Sequence, residues 1–245
     1  MEKSEYKNLY NIEKNHWWYQ GRLKLVKNFL PRNGNGLKLL DLGCGTGLVA
    51  LDLSKKGYDS YGLDVMDEAI KYCNLRGLKN VVKGSILKIP FKENSFDIAT
   101  CIDVIYHEYV TDDVKSLKEI FRILKPGGRL VLTTCATKSL AGRHDKFVHT
   151  RQRYESRELS IKLRKAGFKI RKLSYFNTFL FPLIYITRKI DNFINQNKAS
   201  ESDIGKVNPV VSFLLKNIFF AEVNLLKHLN FPFGVSLIAV AEKPK

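Results

Sequence analysis

Leu37-Lys-Leu-Leu-Asp-Leu-Gly-Cys-Gly-Thr-Gly47 decides how the rest of this chain is read. Its first half carries Leu37, Leu39, Leu40 and Leu42, an apolar run of strand length, as in a strand buried on both faces of a parallel sheet. Its second half sets glycine at 43, 45 and 47. Glycines so spaced let the backbone turn sharply, expose N–H groups and leave room where a Cβ would stand. Leu48-Val-Ala-Leu-Asp-Leu53 follows with helical apolar spacing and stops at Gly57. Strand, glycine loop and helix in succession present a nucleotide-like ligand to a helix N-terminus.

Two carboxylates flank this unit. Asp41 stands just before the glycines, and Asp64 closes the next apolar segment, Tyr58 to Val65. That position is close to the ~20-residue offset at which an acidic side chain meets ribose hydroxyls. The spacing Gly-x-Gly-x-Gly differs from the Gly-x-Gly-x-x-Gly that wraps a pyrophosphate. A ligand without phosphate, received in a site of negative charge, is the expectation. A sulfonium cation with a free ammonium has that chemistry.

With these residues the chain resembles the class I S-adenosylmethionine (SAM) dependent methyltransferases. The resemblance rests on Asp41-Leu-Gly-Cys-Gly-Thr-Gly47, Tyr61-Gly-Leu-Asp64, Ser95-Phe-Asp-Ile98 and Leu124-Lys-Pro-Gly-Gly-Arg-Leu-Val131, and covers about residues 36 to 176. It implies an α/β, Rossmann-like, seven-stranded and mostly parallel sheet with helices on both faces. It also implies SAM as cofactor, bound by Asp41, Gly43, Cys44, Gly45, Gly47, Asp64, Val65, Met66, Ser85, Ile86, Cys101, Ile102 and Asp103. Ser85 departs from the family, which usually has an acidic residue there against the adenine.

Residues 4–30 read as one or two helices stopped by Pro31, and contain His16-Trp-Trp-Tyr-Gln-Gly-Arg22 with both tryptophans of the chain. A similar segment opens a large methyltransferase subgroup, so residues 1–35 are expected to be a helical cap, with Trp18 and Arg22 lining the substrate side. The alternative is an amphipathic helix that packs its aromatics on the core. The methyltransferase core would span 36–176 and 235–245. Between them, 177–234 forms a helical insert, with helix-like stretches at Thr178–Ile194 and Val207–Leu229 that are apolar on more than one face. Such a pattern suits buried helices, a dimer interface or a membrane-surface element.

Ligands of open parallel sheets bind outside the carboxyl ends of the strands. Asp103, Tyr106 and His107 follow the fourth strand, and His144 to Tyr154 follow the fifth. His107, His149 and His144 are therefore the candidate bases, with Arg151, Arg153 and Tyr154 as acceptor contacts. His107-Glu108 lacks the second histidine of a zinc motif, and no metal is expected.

Four cysteines without a Cys-x-x-Cys pair argue for reduced thiols in a cytoplasmic protein. The opening Met-Glu-Lys-Ser-Glu-Tyr6 lacks the apolar core of a signal peptide. The formal charge is +17, with 20 Lys and Arg against 8 Asp and Glu over residues 138–245 alone. This asymmetry favours an acidic partner: an anionic small molecule, a lipid- or glycan-linked acceptor, or an anionic membrane surface at the inner membrane face. A nucleic-acid methyltransferase is the rival enzyme, but Asp103-Val-Ile-Tyr106 stands where amino-methylating nucleic-acid enzymes carry Asn/Asp-Pro-Pro-Tyr/Phe. A non-catalytic module that binds SAM as an effector is the remaining alternative, and a homodimer is a further expectation.

Overall fold

The computed structural model describes residues 3–194 and 208–245. The part of the expected insert at 195–207 lies outside the described residues.

The apolar run at the glycine loop forms β1 (Lys38–Leu42), central among the seven strands, as expected. With it run β2 (Asp59–Asp64), β3 (Asn80–Lys83), β4 (Phe96–Ile102), β5 (Leu124–Cys135), β6 (Lys169–Phe176) and β7 (Ser236–Glu242). The order is β3-β2-β1-β4-β5-β7-β6, with β7 antiparallel to both neighbours. The chain steps outward from β1 to β3, then returns to the other side through β4. That reversal puts the carboxyl ends of β1 and β4 side by side, and a crevice opens there.

Leu39 and Leu40 point to opposite faces and join separate apolar clusters. On the face of Leu40 lie α5 (Asp113–Ile123) and α7 (Ser156–Lys165). On the face of Leu39 lie α2 (Trp17–Asn28), α3 (Leu48–Ser54) and α9 (Pro209–Leu225), through Leu25, Leu53, Phe219 and Val223. The remaining helices are α1 (Lys3–Ile12), α4 (Asp67–Arg76), α6 (Arg143–Phe147) and α8 (Phe181–Ile194).

Residues 4–30 thus make two helices, broken where the His16 side chain caps α2 by accepting from Trp18 N. β3 ends at Lys83, where Ser85 turns back on Lys88. α9 packs into the core. Glu222, buried on its inner side, accepts backbone N–H bonds from Asn177, Thr178 and Phe179 just past β6. A carboxylate in an apolar helix is expensive unless bonded in this way.

Candidate cofactor and acceptor site

The glycine loop is tied to β2 on one side. Gly43 N and Cys44 N donate to Leu63 O, and Gly45 N donates to Asp64 Oδ2 at 3.0 Å. Asp64 Oδ1 accepts from Met66 N at 3.0 Å, so this carboxylate sets the loop and the following turn together. Gly45 has φ +55°, and a Cβ built there would meet nothing within 4 Å. Its outer face is open to a ligand, while Val104 and Cys73 fill the space at Gly43 and Gly47.

Asp41 is buried at the end of β1 and accepts from Thr100 Oγ1 at 2.6 Å. Burial pushes its carboxyl up to about 7, despite that hydrogen bond. Asp103, with φ +58° just beyond β4, accepts from Thr133 Oγ1 and pairs with Arg22 Nη1 at 3.1 Å. Three carboxylates from three adjacent strand ends thus surround the loop, with one guanidinium reaching in from α2. This set fits a cationic amino-acid or nucleoside group that also carries a carboxylate.

Ser85 receives Leu87 N on its hydroxyl, Ile86 is buried in the turn after β3, Ile102 is buried at the end of β4, and Val65 is partly exposed. Cys101 is enclosed in β4, and Cys44 lies with its sulfur 3.6 Å from that of Cys73.

The chain's leading helices close over this crevice. Glu13 accepts from Thr46 Oγ1 of the glycine loop and pairs with Arg76 at 2.5 Å, all three buried. Tyr10 faces the Arg76 guanidinium, 4.4 Å from ring to charge. Tyr6 is buried, and its hydroxyl is pushed up first by burial, then by the charge of Asp64. Sequence reading missed Glu13, Thr46 and Arg76. Each is unremarkable in its own segment, and only the fold brings them together.

The candidate acceptor residues divide. His107 and His149 come together with ring centroids 5.8 Å apart, joined by a backbone bridge between His107 and Thr150. Burial lowers His107 to about 4, and its Nδ1 is buried without a hydrogen-bond partner. His149 Nδ1 lies 3.4 Å from Glu108 Oε2. His144 sits on α6.

Arg151 pairs with Asp113, which also receives Gln152 and Lys162. Arg153 is buried and grips Asp145 through two nitrogens, at 2.8 and 2.5 Å. Tyr154 is fully buried with its hydroxyl toward Ile105 O, which is a packing position instead of the expected acceptor contact. Trp18 likewise packs against both Phe176 and Phe219, as the core-packing alternative had it. A cleft of about 550 Å³ lined by Lys138, Lys146, Thr150 and Arg151 opens beside the histidine cluster.

Comparison with known proteins agrees with this architecture. A family model described as a methyltransferase domain matches residues 40–132, from β1 through most of β5. A ubiquinone biosynthesis O-methyltransferase of Aliivibrio fischeri is 27% identical over 150 residues, 55% of this chain and 63% of that protein. The chain therefore spans less than two thirds of that relative's length. A SAM-dependent methyltransferase of Aquifex aeolicus superposes with a TM-score of 0.54 at 27% identity, over 71% of this chain and 93% of that one. A SAM-dependent methyltransferase of Thermotoga maritima reaches 0.62 at 22% identity, over 98% and 95%. Strand order, glycine loop and family match converge: residues 40–132 belong to the methyltransferase domain family, and the chain has the fold of the class I SAM-dependent methyltransferases.

Proposed function

We propose that the protein transfers a methyl group from SAM to a small acceptor that is anionic or lipid- or glycan-linked. The observation that carries this reading is the ring of Asp41, Asp64 and Asp103 around an open Gly45, with Arg22 opposite. When bound, SAM supplies an electrophilic methyl on a sulfonium. Asp64 would hold the ribose hydroxyls, Asp41 and Asp103 the ammonium end, and Arg22 the carboxylate. In this reading Arg22 serves the cofactor and not the acceptor.

The protein's own contribution is alignment and proton management. Holding nucleophile and leaving group in line supplies ~7–11 kcal/mol of barrier lowering. The relatives named for ubiquinone biosynthesis are O-methyltransferases, which favours an oxygen acceptor here. A hydroxyl needs a base, worth about 10²–10⁴-fold. His149, oriented by Glu108, is the group for that task, with neutral His107 beside it. Lys138 and Lys146 in the adjoining cleft suit an acidic acceptor.

Calorimetry should show binding of SAM and S-adenosylhomocysteine, with Asp64→Ala weakening both by ~1–3 kcal/mol through unmade hydrogen bonds. Radiolabelled SAM incubated with cell extract, then split into lipid, small-molecule and RNA fractions, identifies the acceptor class. Label in RNA alone, or tighter binding of NAD than of SAM, would overturn the proposal.

A further inference from the structure

A helix on the surface of a soluble domain normally turns its apolar side inward. α8 does the reverse. Its polar side faces the protein: Asn192 Nδ2 donates to Ala141 O, Asn192 Oδ1 accepts from Arg143 N, and Asp191 pairs with Arg143 at 2.9 Å. Arg188 Nη1 donates to Leu140 O on the same side. The opposite side carries Leu183, Ile186, Ile190, Phe193 and Ile194 at three- and four-residue spacing, each more than half exposed, with Phe193 at 80%. None of the described residues of α8 is buried.

The first turns of α9 repeat the pattern with Val210, Val211, Phe213 and Leu214, 45–68% exposed. The segment 195–207 between the helices reads Asn-Gln-Asn-Lys-Ala-Ser-Glu-Ser-Asp-Ile-Gly-Lys-Val, too polar in composition to account for so much apolar surface.

The charges select the occupant. Each helix has one acidic residue, and both turn into the protein: Asp191 onto Arg143, Glu222 onto the backbone beyond β6. Of the basic residues, Arg188 also turns inward, while Lys189 and Lys216 do not. Lys189 is exposed one turn from both Ile186 and Phe193, at the rim of the ridge. Lys216 borders the apolar turns of α9, with its ammonium over Phe220. A second copy of the chain would bring the same cations against these. We propose that the outward faces of α8 and the start of α9 dock on an anionic lipid bilayer, with the apolar ridge in the headgroup boundary and the lysines against lipid phosphates. No described helix is long and apolar enough to cross a membrane, so the contact lies in the plane of the surface. This inference stands independently of the methyl acceptor.

The test is vesicle flotation of the full chain. Vesicles of phosphatidylcholine with phosphatidylglycerol should carry the protein upward at low salt, and pure phosphatidylcholine should not. Ile190→Glu with Phe193→Glu alters only exposed side chains. This double variant should lower the floating fraction at least tenfold while calorimetric SAM binding stays unchanged, which separates docking from cofactor function. Equal flotation of parent and variant would overturn the assignment, as would flotation indifferent to lipid charge. A dimer in light scattering that this double variant dissolves, without vesicle binding by the parent, would give the face to a second copy and also overturn it.

Discussion

Asp41 is where burial and ligand charge oppose each other at the scale of one residue. Its folded pKa of about 7 lies above that of an unfolded aspartate, about 3.9. The folded state therefore binds more protons between these values, so stability falls as pH rises from about 4 to 7. Asp41→Asn should flatten that slope in urea titrations run across the window. A cation bound beside Asp41 favours the ionised form, so SAM binding should release a proton. Affinity should then rise from pH 5.5 to 8 by less than tenfold per unit, about one proton's worth, and the same variant should reduce the rise. The positions of Asp41, Asp64 and Asp103 were legible because strand ends next to glycine can be read locally. Their partners were not. Thr100, Gly45 and Arg22 lie 59, 19 and 81 positions away in sequence, and only the parallel pairing of β1 with β2 and β4 brings those strand ends together.

At the scale of elements, α2 and α9 pack so closely that one glycine decides the fit. A Cβ at Gly21 would stand 2.1 Å from the Phe219 ring, itself fully buried. Gly21→Ala gains ~0.5–1 kcal/mol of helix propensity, but overpacking against a rigid ring costs ~1–3 kcal/mol. The clash should win, lowering the melting temperature, and adding Phe219→Leu should restore part of the loss. Sequence periodicity located both helices of the insert, yet could not distinguish their roles. Each is apolar on several sides, and the difference lies in what they meet: α9 finds the sheet, whereas α8 finds the polar loop at Leu140–Arg143. The aromatics of α2 were ambiguous for the same reason, since a ring that lines a site and a ring that fills a core follow the same spacing.

At the scale of the whole molecule, the seven strands were legible along the chain from the β1 loop onward, because the motifs fall at the ends of successive strands. The closure of the site was not, because it depends on three side chains from distant segments. Glu13 is held above the usual carboxylate range by burial, even with Thr46 and Arg76 beside it, so the contact is finely balanced. Glu13→Gln keeps the side-chain shape but strips buried Arg76 of its counter-charge, so α1 should loosen and hydrogen exchange at residues 5–12 should speed up. The further consequence is one of traffic. Tyr6 and Arg22 stand on the first two helices and Glu13 on the turn that joins them, all beside the glycine loop. With SAM held at this loop as proposed, exchange of spent for fresh cofactor would need those helices to lift. The enzyme's clock would then be the parting of Glu13 from the loop and not the displacement at the methyl. In stopped-flow, Glu13→Gln should raise the association and dissociation rates of S-adenosylhomocysteine together and leave their ratio nearly constant.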